Sequence, residues 1–342
     1  MNPDDKHLLQ ILEAFPRARL CSLPTPLEDM PRLAAATGAG RLLIKRDDCT
    51  SLAMGGNKVR QLEFYMGEAL DQHCDNILIT GAVQSNFVRL AAAAAAKLGL
   101  DCHVQLEERV AGVDDLYRDS GNVLLDQLLG AVIHTYPHGE DEAGADRNLG
   151  LIADSLRAKG KSPYIIPLSP AHRPLGALGY IVAAMELAEQ LQEMRVAPEE
   201  IVVPSGSGNT HAGLLFGLRV LGVTTPVIGA CVRRNAAEQS RRIAVRCDQI
   251  AELLDMRSPV GTEDVCLVDD ALAPGYGLLN EPTRAAMTAA ARKEGLILDP
   301  VYSGKPMASF LNRAGKRGPD ATLLVIHTGG TPALFGYGER VL

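Results

Sequence analysis

Tryptophan is absent from this 342-residue chain, and aromatic residues make up only 4% of it. So few aromatics leave no stacking platform for single-stranded nucleic acid. Basic blocks are missing too: 34 Lys and Arg are interspersed with 41 Asp and Glu, for a net charge of −7. That balance excludes the electrostatic footprint of a nucleic-acid binder or of a protein drawn to anionic membranes. No apolar run approaches membrane-spanning length, and the acidic opening Met1-Asn2-Pro3-Asp4-Asp5 has no apolar core of a signal peptide. The expectation is a soluble cytoplasmic protein.

Patterned cysteines are also lacking. Seven, at 21, 49, 74, 102, 231, 247 and 266, form no C-x-x-C pair. Reduced thiols are therefore expected, with neither a disulfide framework nor a zinc site. No H-E-x-x-H appears, so no metal site is expected. The G-x-S-x-G elbow, the G-x-G-x-x-G loop and the Walker A loop are missing as well. Serine hydrolase, dinucleotide and ATP readings lose their support.

What is present is a βα alternation. The hydrophobic fraction is 46% and the charged fraction 22%, a globular balance with enough length for one large domain or two ordinary ones. Leu62, Tyr65, Met66, Ala69 and Leu70 fall on one helical face. Residues 76–80 (NILIT) read as a buried strand, and 91–98 as a strong helix closing at Gly99. Short strands recur at 102–106, 131–135, 164–168, 201–204, 227–232, 265–269 and 322–327, with helices between most of them. Such alternation implies an α/β fold of parallel sheets covered by helices. Turn-rich breaks lie at 51–57 and 167–174. Ligands in open α/β sheets bind beyond the C-terminal strand ends, which points to three loops: 81–86, 204–210 and 327–331.

Two motifs carry chemistry. Met54-Gly55-Gly56-Asn57-Lys58 places a lysine behind a glycine pair, at the start of a helix. Ser205-Gly206-Ser207-Gly208-Asn209-Thr210 follows a strand and opens another helix. Together they are what a pyridoxal-phosphate enzyme needs. The lysine amine forms a Schiff base with the cofactor aldehyde, and backbone N–H groups at a helix N-terminus hold the phosphate. Each has a plainer reading, a solvated lysine and a Gly/Ser turn capped by Thr210. Gln84-Ser85-Asn86 is either a helix cap or a donor cluster for a carboxylate. Tyr276 and Tyr302, in turn-rich segments, read alone as packing. Thr328 stands as a loop hydroxyl at the end of a buried strand.

Taken together, the chain resembles the aminocyclopropane-carboxylate deaminase and D-cysteine desulfhydrase family of fold type II pyridoxal-phosphate enzymes. The likeness runs through residues 24–28 (PTPLE), 44–48 (IKRDD), 55–58 (GGNK), 84–86 (QSN), 175–180 (LGALGY), 205–213, Tyr276-Gly277, 299–302 (DPVY) and 327–330 (HTGG). It implies two open α/β domains with pyridoxal 5′-phosphate in the cleft. Residues 1–61 and 176–342 would form the large cofactor-binding domain, and 62–175 a smaller insertion. It assigns the Schiff base to Lys58, the cofactor's phenolic oxygen to Asn86, and the phosphate to Ser205, Gly206, Ser207, Gly208, Asn209 and Thr210. Gln84, Ser85, Asn86 and Phe87 would meet the substrate, while Ser85, Tyr276 and Tyr302 join Lys58 as catalytic candidates. A homodimer is implied.

Within that family the cyclopropane deaminases carry a glutamate after the DPVY tyrosine. This chain has Ser303 there, with Thr328 as a second neutral hydroxyl near the pyridine nitrogen. The expectation is α,β-elimination from a small amino acid, D-cysteine first, giving oxo acid, ammonia and sulfide. The cyclopropane deaminase and cysteate sulfo-lyase reactions stay open. So do racemase or β-replacement chemistry on the same fold and a cofactor-binding protein without turnover. Three departures from the family pattern surround the pocket. Phe87 stands where a His or Gln is usual, and Gln61 replaces a phosphate-side lysine. Residues 169–174 (SPAHRP) replace a serine-bearing stretch and add Arg173, either a second anion site or an exposed loop cation.

Overall fold

In a computed structural model of the chain, residues 3–169 and 171–342 are described, and Pro170 of the 169–174 stretch lies outside them. Among these residues ten strands build two sheets. β1 (Leu27–Asp29) and β2 (Arg41–Arg46) open the first sheet. β3 (Asn76–Ala82), β4 (Asp101–Glu107), β5 (Val132–Tyr136) and β6 (Pro163–Ile166) form the second. β7 (Glu200–Ser205), β8 (Val227–Cys231), β9 (Cys266–Val268) and β10 (Thr322–His327) return to the first. The orders are β1-β2-β10-β7-β8-β9 and β5-β4-β3-β6. Every pair is parallel except β1 with β2.

The sequence builds these sheets by alternation with both faces apolar, as parallel sheets require. Leu43, Ile201, Val203, Leu324 and Ile326 face one core, while Ile44, Val202, Leu323 and Val325 face the other. In the second sheet Ile77, Ile79 and Val104 join the first core. Leu78 points the opposite way, onto Leu149, Ala153 and Leu156 of the Glu142–Arg157 helix. One apolar cluster thus runs through both sheets. No described helix is long and apolar enough to cross a membrane.

All eight expected strands are present, and β1 and β2 are additions. The Asn86–Leu98 helix ends at Gly99 in the left-handed conformation, φ 73°, as its sequence requires. The Lys58–Asp71 helix is buried almost all round, although Leu70, expected on its apolar face, is exposed. One capping assignment is corrected. The Asn209–Val220 helix is capped by Gly208, at φ 108°, and Thr210 lies inside its first turn.

A buried ionic cluster fixes where the Lys58–Asp71 helix begins. Arg60 donates to Asp47 through Nε at 3.0 Å and Nη2 at 2.8 Å, and to Glu186 through Nη1 at 3.0 Å and Nη2 at 2.9 Å. Lys45 of β2 also pairs with Glu186 and donates to Thr25 O at 2.7 Å. The Tyr180 hydroxyl donates to Asp47 at 2.5 Å. Two cations balance two carboxylates, so the cluster is neutral as a unit. Burial raises the Asp47 carboxyl, but Arg60 prevails and holds it below its ordinary value. Removing one member strands the opposite charge. Arg60→Met is expected to lower unfolding stability by about 3–5 kcal/mol, read by urea denaturation, and a loss under about 1 kcal/mol would show the cluster to be incidental.

Candidate active site

The loop before Lys58 is stapled into one conformation. Gly55 has φ 66°, and a Cβ there would sit 1.9 Å from Asp48 O, so only glycine fits. The Thr50 hydroxyl accepts from Gly56 N at 2.8 Å and donates to Gly56 O at 2.9 Å. Asn57 N donates to Thr328 O at 3.0 Å, and Arg89 closes the loop from below through the carbonyls of Ala53 and Gly55. Lys58 is then the first residue of its helix.

Its side chain is recessed in a cavity, and the amine has no hydrogen bond or ion pair among the described residues. Nζ lies 4.9 Å from the centre of the Phe87 ring. A ring face favours the charged amine, yet the loss of solvent around it outweighs this and lowers the lysine to about 8. An amine that is partly neutral near pH 8 is a competent nucleophile and base. Phe87 is therefore the wall that keeps polar groups away from Lys58.

The same cavity is lined by Ser85, Leu168, Pro204, Gly206, Ser207, Gly208, Thr210 and Tyr302, with Arg109, Glu142, Arg233 and Arg242 at its sides. Ser85 caps the Asn86–Leu98 helix, accepting from Val88 N at 3.3 Å. The loop after β7 meets the requirements of an anion cradle. No backbone or side-chain group of the described residues accepts from the N–H groups of 206–211. The Thr210 hydroxyl accepts from Asn57 Nδ2 and from Gln61 Nε2, each at 2.8 Å. Its two lone pairs are thereby used, and its own hydrogen is left to donate.

Tyr302 lies beside the loop, where a Cβ on Gly206 would meet its ring at 3.6 Å, and its hydroxyl is 2.9 Å from that of Tyr276. Desolvation, reinforced by Tyr276, drives the Tyr302 hydroxyl well above its ordinary range, and Arg109 and Arg233 do not reverse this. Tyr302 stays protonated and acts as a donor. The turn that presents it is organised by Asp299, which accepts from the N–H groups of Val301 at 3.2 Å, Tyr302 at 3.0 Å and Ser303 at 2.7 Å.

Other expected site residues are outside the cavity lining and are engaged by the chain around it. The Gln84 amide is spent within the chain: it donates to Tyr117 O at 2.6 Å and Ser120 O at 2.8 Å and accepts from Asn122 N at 2.9 Å. It ties the Asn86–Leu98 helix to 117–122 and has no donor left for a carboxylate. Asn86 accepts from Asn122 Nδ2 at 2.9 Å, which leaves its own amide N–H groups free to donate. The Ser303 hydroxyl donates to Asp299 Oδ1 at 2.6 Å and accepts from Asp299 N at 2.7 Å, so it serves the turn. Thr328 donates to Tyr302 O at 3.2 Å, Ser205 lies 3.1 Å from His211 Nδ1, and Asn209 donates to Tyr65 at 3.3 Å. Arg173 is exposed and paired with Glu68 at 2.6 Å, the plain surface reading. Arg109, Glu142, Arg233 and Arg242 escaped the sequence because residues far apart in the chain assemble them.

A recessed, unpaired lysine facing a glycine-rich anion loop defines a protein that holds a phosphorylated carbonyl cofactor. The chain belongs to the family of pyridoxal-phosphate dependent enzymes, whose model matches residues 19–329. It is 42% identical to D-cysteine desulfhydrase of Salmonella newport (strain SL254) over 335 residues, 97% of this chain and 99% of the relative. The same identity and coverage hold for the enzyme of that name from Salmonella paratyphi A. Among solved structures, an ACC deaminase homologue superposes with a TM-score of 0.87 at 34% identity, covering 100% of this chain and 99% of that one. Diaminopropionate ammonia lyase of Escherichia coli, at 18% identity and TM-score 0.65, shares the fold over 99% of this chain and 91% of its own. Fold type II follows, and with it pyridoxal 5′-phosphate as cofactor.

The lowered Lys58 amine has a direct consequence. In cofactor-free protein the rate of pyridoxal 5′-phosphate uptake is expected to rise with pH through a midpoint near 8, followed by the change in visible absorbance. A midpoint near 10.5, the ordinary lysine value, would show that desolvation does not set this amine.

Proposed function

We propose that this enzyme is a D-cysteine desulfhydrase-type lyase, removing sulfide and ammonia from a small amino acid and leaving an oxo acid. The observation that carries the reading is the Lys58 amine, recessed and unpaired, in one cavity with the Tyr302 hydroxyl and the 206–210 loop. The full-length identity to enzymes of that name supports it. Bound pyridoxal phosphate supplies an electron sink for charge developing at the substrate α-carbon.

The chain supplies the rest. Gly206, Ser207, Gly208 and Asn209 offer N–H groups to the phosphate, and Thr210 adds its free O–H. Asn86 stands as the donor to the phenolic oxygen. Ser85, at the N-terminus of its helix, meets the substrate carboxylate where the helix dipole favours negative charge; Gln84 holds that helix end in place. Lys58 Nζ takes the α-proton. The Cβ–S bond then breaks, and the sulfur leaves as HS⁻ while Tyr302, backed by Tyr276, donates a hydrogen bond to it. Water converts the released enamine to oxo acid and ammonia. Phe87 and Leu168 are the large apolar side chains of the cavity lining and limit water around the reacting atoms.

Ser303 and Thr328 belong to this reading as neutral neighbours of the cofactor's ring, acting through the turn and carbonyl they hold. We take 1–61 with 176–342 and the inserted 62–175 as the two lobes around the cleft, and a cytoplasmic homodimer as the working form. Sedimentation at micromolar concentration is expected to return twice the chain mass of 36.5 kDa; a monomer mass contradicts the dimer alone.

The reaction is tested with purified protein offered D-cysteine, L-cysteine and the cyclopropane amino acid. Sulfide, ammonia and oxo acid in equal amounts from D-cysteine are expected. Tyr302→Phe should cut kcat by about 10²-fold or more. Ammonia from the cyclopropane substrate with no sulfide from D-cysteine overturns the proposal.

A further inference from the structure

The cavity wall carries arginines that the chemistry above leaves unused. Arg233 and Arg234 follow β8, and Arg242 and Arg246 lie one turn apart on the Ala236–Leu253 helix, behind the 206–210 loop. Arg242 Nε donates to Ser207 O at 2.9 Å and Arg234 Nη1 to Gly206 O at 3.4 Å. A Cβ on Gly208 would meet the Arg246 stem at 3.3 Å and the Arg242 stem at 3.9 Å. The carbonyl side of the loop therefore rests on guanidinium groups, while its N–H groups have no partner among the described residues.

These cations outnumber their counterions. Glu142, at the start of the Glu142–Arg157 helix, takes Arg233 at 2.8 Å, Arg234 at 2.5 Å and Arg242 at 3.2 Å. Glu140 adds a contact to Arg233 at 3.2 Å. Arg246 has no carboxylate within ion-pair distance among the described residues and bonds instead to His172 O, Ser169 O and Gln249. The Nε atoms of Arg233 and Arg246 are buried without a partner. Four guanidinium groups set against two carboxylates leave a surplus of two positive charges in a wall that is largely buried. Burial and the neighbouring arginines, against the pull of Glu142, lower Arg242 to about 10. The wall is short of negative charge.

The opposite wall cannot supply a cation to the loop. Position 61, three residues past Lys58, is a neutral glutamine whose amide is bound to Thr210. Arg60 is committed to Asp47 and Glu186. A phosphate monoester carries a charge of about −1.5 to −2 near pH 7, which matches the surplus.

We propose that Arg242, supported by Arg233, Arg234 and Arg246, supplies the countercharge for the cofactor phosphate from behind its loop, and that Glu142 and Glu140 together trim that charge to two. The inference rests on the phosphate lying at the 206–210 loop. Full-length protein freed of cofactor is titrated by equilibrium dialysis with pyridoxal 5′-phosphate and with pyridoxal, which lacks the phosphate. Arg242→Gln is expected to raise the Kd for the phosphorylated ligand about 10-fold or more, the scale of a hydrogen bond to a charged group, and that for pyridoxal less than about 2-fold.

Adding Gln61→Lys to Arg242→Gln is expected to restore most of the loss, because it places a cation beside Thr210 from the other wall. Damaged packing would not be repaired in that way. Equal losses for the two ligands, or no rescue, overturn the arginine assignment. Where Arg242→Gln does not fold, the same comparison on Arg234→Gln, the most exposed of the four, decides between these outcomes. Wild-type protein binding pyridoxal as tightly as its phosphate would instead remove the phosphate from this loop, and the underlying reading with it.

Discussion

The Arg60–Asp47 pair is the constraint on which the site depends. Asp47 follows β2, Arg60 lies in the first turn of the Lys58–Asp71 helix, and Glu186 and Tyr180 come from a helix more than 100 residues away. Their mutual neutralisation joins sheet, helix and loop at one buried point two residues from Lys58. A buried ionic cluster of this kind is weak evidence for stability. Its use here is positional, since it fixes the start of the helix and so the direction from which Lys58 enters the cavity.

Partners then decide the fate of each inward-facing lysine. Lys45 has Glu186 and Thr25 O. Lys305 is lowered to about 8 by burial, yet it donates to Ala271 O and Leu272 O. Lys58 has no such anchor. It lies against Phe87, and an amine with no anchor is free to bond to an aldehyde. The arginine wall follows the opposite rule: its groups are held through backbone carbonyls of the loop and of neighbouring segments, and what the wall lacks is negative charge. One amine without a partner and one wall short of anions, on facing sides of a cavity, describe a site shaped for a phosphorylated aldehyde.

Much of this was legible in the sequence, and the failures share a cause. Most of β3 to β10 could be read because they are short, largely apolar runs bounded by turn residues, although β4 and β5 carry polar residues among theirs. β2 (RLLIKR) escaped because it carries Arg41, Lys45 and Arg46, and Lys45 is buried only because Glu186 reaches it. Lys58 and the 205–210 loop are contiguous motifs and were found as such. Gln84 reads as a substrate contact from its place beside Ser85, but residues 117–122 claim its amide. Arg233, Arg242 and Glu142 meet across 91 and 100 positions of chain, and nothing local marks them. Contacts made within one turn are written in the sequence, and those between distant segments are not.

We propose that Lys58, alone among the inward-facing lysines, carries the cofactor. This assignment is tested most directly by reducing the holoenzyme with borohydride, digesting it, and locating the pyridoxyl label by mass spectrometry. A single labelled peptide with the modification on Lys58 is expected. A label on Lys45 or Lys305, or none, would contradict it.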